Sequence, residues 1–555
     1  MIDQIWANAA IESCLKQGID HFFLAPGSRC TPLTLAVARQ KQAHVIQHFD
    51  ERGLAFAALG YARATGRPGV FICTSGTAVA NAFPAVVEAA MESVPMLLFT
   101  ADRPFELHGT GANQAIDQLE IFGNYVKLFS NLSVPADGSS IQGQQKSAFL
   151  DSILEQAFTV TKDGPVHLNW MFHEPFTIEN EKPDSLACSP SDGNTGDVAD
   201  HSSISLPTIE VAGNVLIVLG GCRPEEAEQA LGLAGQLNCP ILSDVTSGLR
   251  VGSFELPTEF NLPVPDTILH LGGRIVSKTW HQWTANLADR DVNMIHVTPT
   301  GQTVNPNGLK MNCIQMSFAN LQSQVVGSTG EDSFRKSWED AAALRNQVLH
   351  HELADANKLT EPAIAFHLSQ QCPDSVGMFI GNSMPIRDMD WFGVVGSKKA
   401  RFVAANRGAS GIDGLLATAT GYAAGLQRPT TVLLGDLSAL HDLNSLALIA
   451  ESKWPMIVMV INNHAGHIFD QLPIQQSDHF EQFFATPHGF QFEHAAKMFE
   501  LEYRKITNMA QLVENYDAAC AMDRSIVLEL LTDRDANQQV RKQIREKIRK
   551  CSDQD

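Results

Sequence analysis

The sequence predicts an α/β protein built from three doubly wound parallel-sheet domains. Three observations predict it. Short apolar runs such as HFFL, VFIC, VLIVL and MIVMVI alternate along the chain with stretches of helical periodicity, the pattern of strands buried on both faces and joined by crossover helices. Many of these runs stop at Gly, Ser, Asp, Asn or Arg, which gathers polar turns at the carboxyl ends of the strands, where open α/β sheets bind ligands. A stretch from 177 to about 207, rich in Ser, Asp, Asn, Gly and Pro, reads as a linker. With 555 residues, 44% of them hydrophobic, there is material for several cores.

The first domain is expected over residues 1–178. A helix from Ile5 to Gln17, closed by Gly18, leads into HFFLAPGSRC, a short strand and a Pro-Gly turn that carries Ser28 and Arg29 before a new helix from about Thr31. The next strand runs to Phe49, followed by Asp50, Glu51 and a small-residue helix through Ala64. Asp50 is well placed to cap that helix, which leaves the Glu51 carboxylate for chemistry at the strand edge. A strand from Val70 to Cys73, a turn from Thr74 to Thr77 and a further helix repeat the pattern, and PMLLFTADRP ends a strand at Asp102-Arg103. In GTGANQAID the glycines at 109 and 111 have no third glycine in register, so no dinucleotide fingerprint forms. GPVHLNWMFHEPF supplies the last strand.

The central domain is expected over 208–330, from NVLIVLGG through CPILSD and TILHLGG. Its double glycine, Gly220-Gly221, reads as a plain tight turn, and Arg274 and Lys278 follow LGG as loop charges. A charged helical connector, Phe334 to Asn357, carries no obvious chemistry. The third domain is expected over 358–534, with strands ending at GMFIGNSMPIRD, RFVAANRGASGIDG, the Gly435 turn and the Asn463 turn, and a C-terminal helix running to 555. That helix places Val540, Ile544 and Ile548 on one face and its basic groups elsewhere, as a docked, solvated terminal helix does.

The stretch from Gly435 to Asn463 is a strand, helix, strand unit, with Leu440, Leu443, Leu446 and Ile449 on one helical face. Both strands should end at one sheet edge. Asp436 offers a carboxylate, Asn463 an amide oxygen, and the turn of His464, Ala465 and Gly466 a backbone carbonyl. Hard oxygens of this kind suit magnesium together with substrate phosphates. A helix beginning near Ser438 would point its N-terminus at the same spot and favour an anion.

Composition narrows the function classes. A formal charge of -21 argues against bulk nucleic-acid binding. No apolar run approaches the roughly 18 residues of a membrane span, and MIDQIWANAAIESC lacks a signal-peptide pattern. The 10 cysteines are scattered without CxxC spacing, as expected of reduced thiols in a cytoplasmic protein. There is no GxxxxGK[ST], HExxH or GxSxG motif, and His464 with His467 does not make a convincing zinc site.

Motif order adds a family. Between Leu437 and Asn462 lie 24 residues, and Gly435-Asp436 with Asn462-Asn463 resembles the thiamine diphosphate signature of a GDG turn and an Asn pair, with Leu437 in place of the second glycine. APGSR, DERGLAFAALGYARATG, TSGTAVAN, TADRP, GANQAID, GNSMPIRD, NRGASGIDG and NNHAGHIF extend the resemblance over nearly the whole chain. The chain resembles the thiamine diphosphate enzymes of the pyruvate-oxidase and acetohydroxyacid-synthase type. Among these it is most similar to the 2-succinyl-5-enolpyruvyl-6-hydroxy-3-cyclohexene-1-carboxylate synthases of menaquinone biosynthesis, with NRGASGIDG and TADRP the most specific stretches.

The resemblance implies a pyrimidine-binding first domain, a central domain and a diphosphate-binding third domain. It implies thiamine diphosphate and magnesium, for which manganese can substitute, as cofactors. Glu51 would hydrogen-bond the aminopyrimidine and Ile412 would support the bent cofactor; Gly435, Asp436, Leu437, Ser438, Ile468, Phe469 and Leu472 would line its site, and Asp436, Asn463 and the Ala465 carbonyl would hold the metal. Ser28, Arg29, Gln114 and Ser383 would join Glu51 and Ile412 in catalysis. Arg103, Asn382, Lys278, Arg387 and Arg407 would bind the substrates, because 2-oxoglutarate and isochorismate each carry two carboxylates. The implied reaction is decarboxylation of 2-oxoglutarate and 1,4-addition of the resulting carbanion to isochorismate. The family pattern has an arginine after Lys278 where this chain has Thr279, and Arg274 is the candidate to replace that charge. The resemblance also implies that the pyrimidine site of one chain faces the diphosphate site of another, so two chains build each active centre and a homodimer is the minimum, with a tetramer common in the family.

Two other readings compete. A different thiamine diphosphate enzyme, such as an acetohydroxyacid synthase or a 2-oxoacid decarboxylase, would keep Glu51, Asp436 and Asn463 and differ in its anion-binding arginines. A non-catalytic nucleotide-binding scaffold of doubly wound domains would bind no thiamine diphosphate.

Overall fold

The computed structural model describes residues 2–133, 140–174, 176, 207–327, 329–394, 396 and 399–552. The expected linker lies almost wholly outside the described residues. The chain divides into two compact units, one of Met1–Ser205 with Leu416–Leu426 and Asn444–Glu451, the other of the remainder.

The first unit is built on six parallel strands: β1 (His21–Leu24), β2 (His44–Gln47), β3 (Gly69–Cys73), β4 (Met96–Asp102), β5 (Leu128–Ser133) and β6 (Pro165–Met171), in the order β2-β1-β3-β4-β6-β5. Successive side chains of the inner strands enter opposite cores. Phe22, Val70, Ile72, Leu97 and Phe99 pack on one face, and Phe23, Phe71, Cys73, Met96 and Leu98 on the other. Burial on both faces explains why these strands read as unbroken apolar runs.

The helix Glu51–Thr65 follows β2. Asp50 caps it, accepting from Arg52 N at 3.0 Å and Gly53 N at 3.4 Å, and Gly66 ends it at φ +69°. Its residues from Gly53 to Ala62 are all buried. One side meets the sheet, and another meets the helix Leu415–Leu426 at backbone distance. A Cβ on Gly60 would lie 1.9 Å from the Thr418 carbonyl oxygen, and one on Gly421 would lie 1.8 Å from that of Ala57.

The second unit holds the other two large sheets. The central sheet contains β8 (Val215–Leu219), β9 (Ile241–Ser243), β10 (Thr267–Leu271), β11 (Asn293–Thr298) and β12 (Asn312–Gln315), ordered β12-β11-β10-β8-β9, beside a small pair of β7 (Ile209–Val211) and β13 (Val325–Gly327). The third sheet contains β14 (Gly377–Ile380), β15 (Val403–Ala404), β16 (Thr430–Gly435), β17 (Met456–Asn462), β18 (Glu502–Ile506) and β19 (Ile526–Leu531), ordered β15-β14-β16-β17-β19-β18. Numbered from its own first strand, this order repeats that of the first sheet. All named strand pairs are parallel.

Four local expectations need correction. The strand expected to reach Phe49 stops at Gln47, and Phe49 is exposed, because the chain is already turning toward the Asp50 cap. The single helix expected after Gly435 is broken into Asp436–His441, a 3-10 turn Leu443–Ser445 and Leu446–Ala450. It begins at Asp436 rather than near Ser438, and with only six residues its first piece adds little to anion binding through its dipole. The terminal helix Arg534–Ser552 buries Ile544 and Ile548 as expected, but Arg541 lies on the same buried face, held by carboxylates.

Candidate active site

In the second unit, the edge of the third sheet carries a cradle of oxygens. β16 and β17 pair in parallel with Gly435 opposite Ile461, so Asp436 and the Asn462-Asn463 pair leave the sheet side by side. Asp436 is 3% exposed. Its Oδ1 accepts from Leu437 N at 2.7 Å, while Oδ2 is buried without a hydrogen-bond partner among the described residues. His488 Nε2 lies 3.2 Å from that oxygen, outside hydrogen-bond geometry, and is likewise unpartnered. Burial pushes the Asp436 carboxyl up to about 6, the Glu361 charge adds to the rise, and the backbone N–H groups of Leu437 and His464 oppose it.

A buried carboxylate oxygen with no donor is what a hard cation would satisfy. Asn463 supplies an amide that donates from Nδ2 to Glu361 Oε1 at 2.8 Å and accepts at Oδ1 from Ala465 N at 3.3 Å. The turn depends on Asn462, which donates to Glu529 Oε1 at 2.6 Å and to the Phe490 carbonyl at 3.0 Å, and on His464, held at φ +64°. The Ala465 carbonyl already accepts from His467 N at 3.2 Å and keeps a second lone pair. The donors at this turn are a carboxylate, an amide oxygen and a backbone carbonyl, a hard-oxygen set whose chemistry fits magnesium rather than zinc.

Beside this cradle, Gly381 N donates to the Leu433 carbonyl at 2.7 Å, so the end of β14 runs against the end of β16. Asn382, 1% exposed, donates to the carbonyls of Asn406 at 2.8 Å and Gly411 at 2.6 Å, and accepts from Arg407 at 2.7 Å. Its amide therefore pins the loop that carries Arg407 and Ile412. Ser383 has φ +73°, and its carbonyl accepts from Arg387 at 2.5 Å. Burial, and next the Arg407 charge, pull Arg387 below the usual arginine pKa. Arg407 also lines a cavity of about 330 Å³ with Arg274, His281, Thr303, Asn305 and Ser410. Lys278 is exposed at the start of the helix Lys278–Ala285 and is not among the residues lining that cavity.

The first unit presents the other predicted group. Glu51 is half-buried and accepts from Asn81 Nδ2 at 3.2 Å. Arg103 donates to Ser75 Oγ at 3.2 Å and to the Asn113 carbonyl at 2.8 Å, and Gln114, at φ +58°, donates to the Ser75 carbonyl at 2.9 Å. Arg29 is buried, donating to the Phe172 carbonyl at 2.9 Å and pairing with Glu174, while Ser28 is exposed. Burial and then the Arg103 charge lower the Arg29 pKa, so the two guanidinium groups share one neighbourhood.

Comparison with known proteins follows this geometry. Residues 5–121 match the thiamine pyrophosphate enzyme N-terminal TPP binding domain, and residues 394–530 match its C-terminal TPP binding domain. The 2-succinyl-5-enolpyruvyl-6-hydroxy-3-cyclohexene-1-carboxylate synthase of Rubrobacter xylanophilus is 37% identical, with 96% of each chain covered. The synthase of the same name from Salinibacter ruber is 35% identical over 97% of this chain and 95% of its own. The chain belongs to this synthase family. A crystal structure of a protein from Mycobacterium smegmatis assigned as a thiamin diphosphate-dependent enzyme shares the fold, with a TM-score of 0.68 at 16% identity over 95% of this chain and 99% of that one.

The predicted residues form two groups, one per unit, with Lys278 in neither. Ser28, Arg29, Glu51, Arg103 and Gln114 lie at strand ends of the first sheet. Asn382, Ser383, Arg387, Arg407, Ile412, Asp436 and Asn463 lie at those of the third, and Ile468 and Phe469 follow in the 3-10 turn His467–Gln471, with Leu472 exposed after it. Sequence reasoning missed Ser75, Glu361 and His488. TSGTAVAN contains Ser75, but nothing local marks its neighbours as Arg103 and Gln114. No spacing connects Glu361 or His488 to the Asp436 turn, because only the packing of separate segments brings them there.

Proposed function

We propose that this chain is a 2-succinyl-5-enolpyruvyl-6-hydroxy-3-cyclohexene-1-carboxylate synthase, acting on 2-oxoglutarate and isochorismate with release of carbon dioxide. The observation that carries the reading is the arginine-bearing edge of the third sheet, Arg387 and Arg407 around Asn382 and Ser383, immediately beside the Asp436 and Asn463 oxygens. A chain of formal charge -21 that holds two half-buried guanidinium groups together at a sheet edge is arranged to meet carboxylates. Full-length similarity to synthases of that name supports the same substrates.

Asp436, Asn463 and the Ala465 carbonyl would hold magnesium, and Gly435, Leu437, Ser438, Ile468, Phe469 and Leu472 would line the cofactor beside it. When bound, thiamine diphosphate would supply the nucleophilic carbon and the electron sink needed for 2-oxoglutarate to lose carbon dioxide and for the remaining acyl unit to add to the ring alkene of isochorismate. Glu51, supplied by a second copy of the chain, would hold the cofactor's aminopyrimidine ring through a carboxylate hydrogen bond and so promote its activation. Ile412, on the loop pinned by Asn382, would pack against the cofactor. Arg387 and Arg407 orient substrate carboxylates, with Ser383 as a neutral donor, and Arg274 supplies from the cavity wall the charge that Thr279 lacks. Arg29, Arg103, Ser28 and Gln114 perform the same duty from the pyrimidine side, and Lys278 reaches the substrates from its exposed helix start. The active protein is at least a homodimer, works in the cytoplasm and assigns residues 1–178, 208–330 and 358–534 to pyrimidine-binding, central and diphosphate-binding domains.

The test is isochorismate consumption, followed by its absorbance, with the purified protein. Turnover that requires 2-oxoglutarate, thiamine diphosphate and magnesium together is expected. Turnover of other 2-oxoacids alone, with none of isochorismate, would reject the reading.

A further inference from the structure

We propose that Glu361 is a positioning residue for Asn463: its buried carboxylate determines which end of the Asn463 amide faces the cradle, and Arg541 of the terminal helix holds that carboxylate in place. The inference rests on the reading of Asp436 and Asn463 as metal ligands.

An asparagine side chain has an oxygen and an NH₂ of nearly equal size at its two ends, and only the oxygen can ligate a hard cation. A partner that only accepts hydrogen bonds removes the ambiguity. Glu361 is such a partner, 2% exposed at the first position of the helix Glu361–Gln371, with Oε1 2.8 Å from Asn463 Nδ2. Nδ2 must therefore face Glu361, leaving Oδ1 on the side of the Ala465 turn.

Glu361 is itself held from several directions. Oε1 also accepts from Asn537 Nδ2 at 2.8 Å, Asn537 Oδ1 accepts from Glu361 N at 2.9 Å, and Oε2 accepts from Arg541. Arg541 donates further to Asp388, at 3.0 Å to Oδ1 and 2.5 Å to Oδ2. Asp388 belongs to the helix Met384–Phe392, which carries Arg387. One guanidinium thus ties the carboxylate behind a metal-binding asparagine to the helix of a substrate-side arginine. Burying Arg541 alone would need only the two-point contact with Asp388. The second buried carboxylate costs desolvation, and orienting Asn463 accounts for its presence.

The experiment titrates Mn²⁺ into the full-length protein in the presence of thiamine diphosphate and reads free Mn²⁺ by electron paramagnetic resonance. In Glu361→Gln the new NH₂ lets the Asn463 amide reverse, so the Kd for Mn²⁺ is expected to rise about 10- to 100-fold. The melting temperature of the metal-free protein should change little. The double variant Glu361→Gln/Asn463→Asp exchanges donor and acceptor and returns an oxygen to the cradle, so Mn²⁺ binding should recover most of the loss. An unchanged Kd in the single variant, or a raised Kd that the double variant does not recover, overturns the inference. If the single variant does not fold, the double variant alone decides, by recovery or its absence. Wild-type protein that binds no Mn²⁺ with thiamine diphosphate would instead overturn the cradle reading itself.

Discussion

Arg407 and Arg387 show how much of the site's chemistry depends on single atoms. Among the described residues Arg407 donates to Asn382 Oδ1 and Arg387 to the Ser383 carbonyl, each through Nη1, so both guanidinium groups are anchored at the end of β14. A charge-assisted hydrogen bond is worth roughly 1.5–3 kcal/mol, so Arg407→Ala should raise the KM for one dicarboxylic substrate by about 10- to 150-fold. Steady-state kinetics with each substrate varied in turn would show which carboxylate it serves. Arg274→Ala should raise a KM in the same way if its place in the cavity with Arg407 means that it compensates for Thr279. Wild-type kinetics would remove Arg274 from the substrate site. At this scale Asp436, Arg103 and Arg407 were legible because each follows the end of an apolar strand, whereas Arg387 lies inside the helix Met384–Phe392. His488 was not, because it approaches Asp436 from a segment with no pattern of its own.

Elements contribute through how closely they approach. The helices Glu51–Thr65 and Leu415–Leu426 meet where Gly60 and Gly421 have no room for a Cβ against backbone carbonyls. Gly421→Ala should therefore force the helices apart and destabilise the protein by about 1–3 kcal/mol despite alanine's better helix propensity. A lower urea midpoint would show it; an unchanged one would mean that the helices separate without cost. The terminal helix offers a second test. Arg541→Ala leaves Glu361 and Asp388 buried without their counter-charge, a loss of roughly 3–5 kcal/mol measured by the same denaturation. The apolar stripe of that helix was readable from its spacing. The buried arginine within it was not, since periodicity sorts residues by polarity and Arg541 is admitted only because two carboxylates from other helices meet it.

On the scale of the molecule, two buried histidines each weaken the fold as the pH falls, against the opposite contribution of the buried carboxyls of Asp388, Asp390 and Asp436. Burial pushes His167 on β6 and His270 on β10 down to about 3 from an ordinary 6.5. The unfolded chain takes up protons near 6.5 while the folded chain stays neutral, so stability complete above that pH is lost as pH falls toward 3. Each histidine contributes about 1.4 kcal/mol per pH unit in that window. Between about pH 7 and about pH 5 the urea midpoint of His167→Gln should rise relative to that of the wild type, because the variant lacks the cost of keeping that histidine neutral. A slope unaltered in that variant would place the sensitivity elsewhere.

The sequence by itself determined the three parallel sheets, the turns at their carboxyl ends and the pairing of Asp436 with Asn463. These follow from local rules: apolar runs make doubly buried strands, and parallel crossovers deliver consecutive strand ends to one edge. Only the tertiary structure decided the repeated strand order of the first and third sheets, the break in the helix after Asp436, the Asn382 bonds that pin the Arg407 loop and the carboxylate behind Asn463. Each of these depends on segments far apart in the chain, such as Glu361, Asn463 and Arg541, whose contact has no local signature.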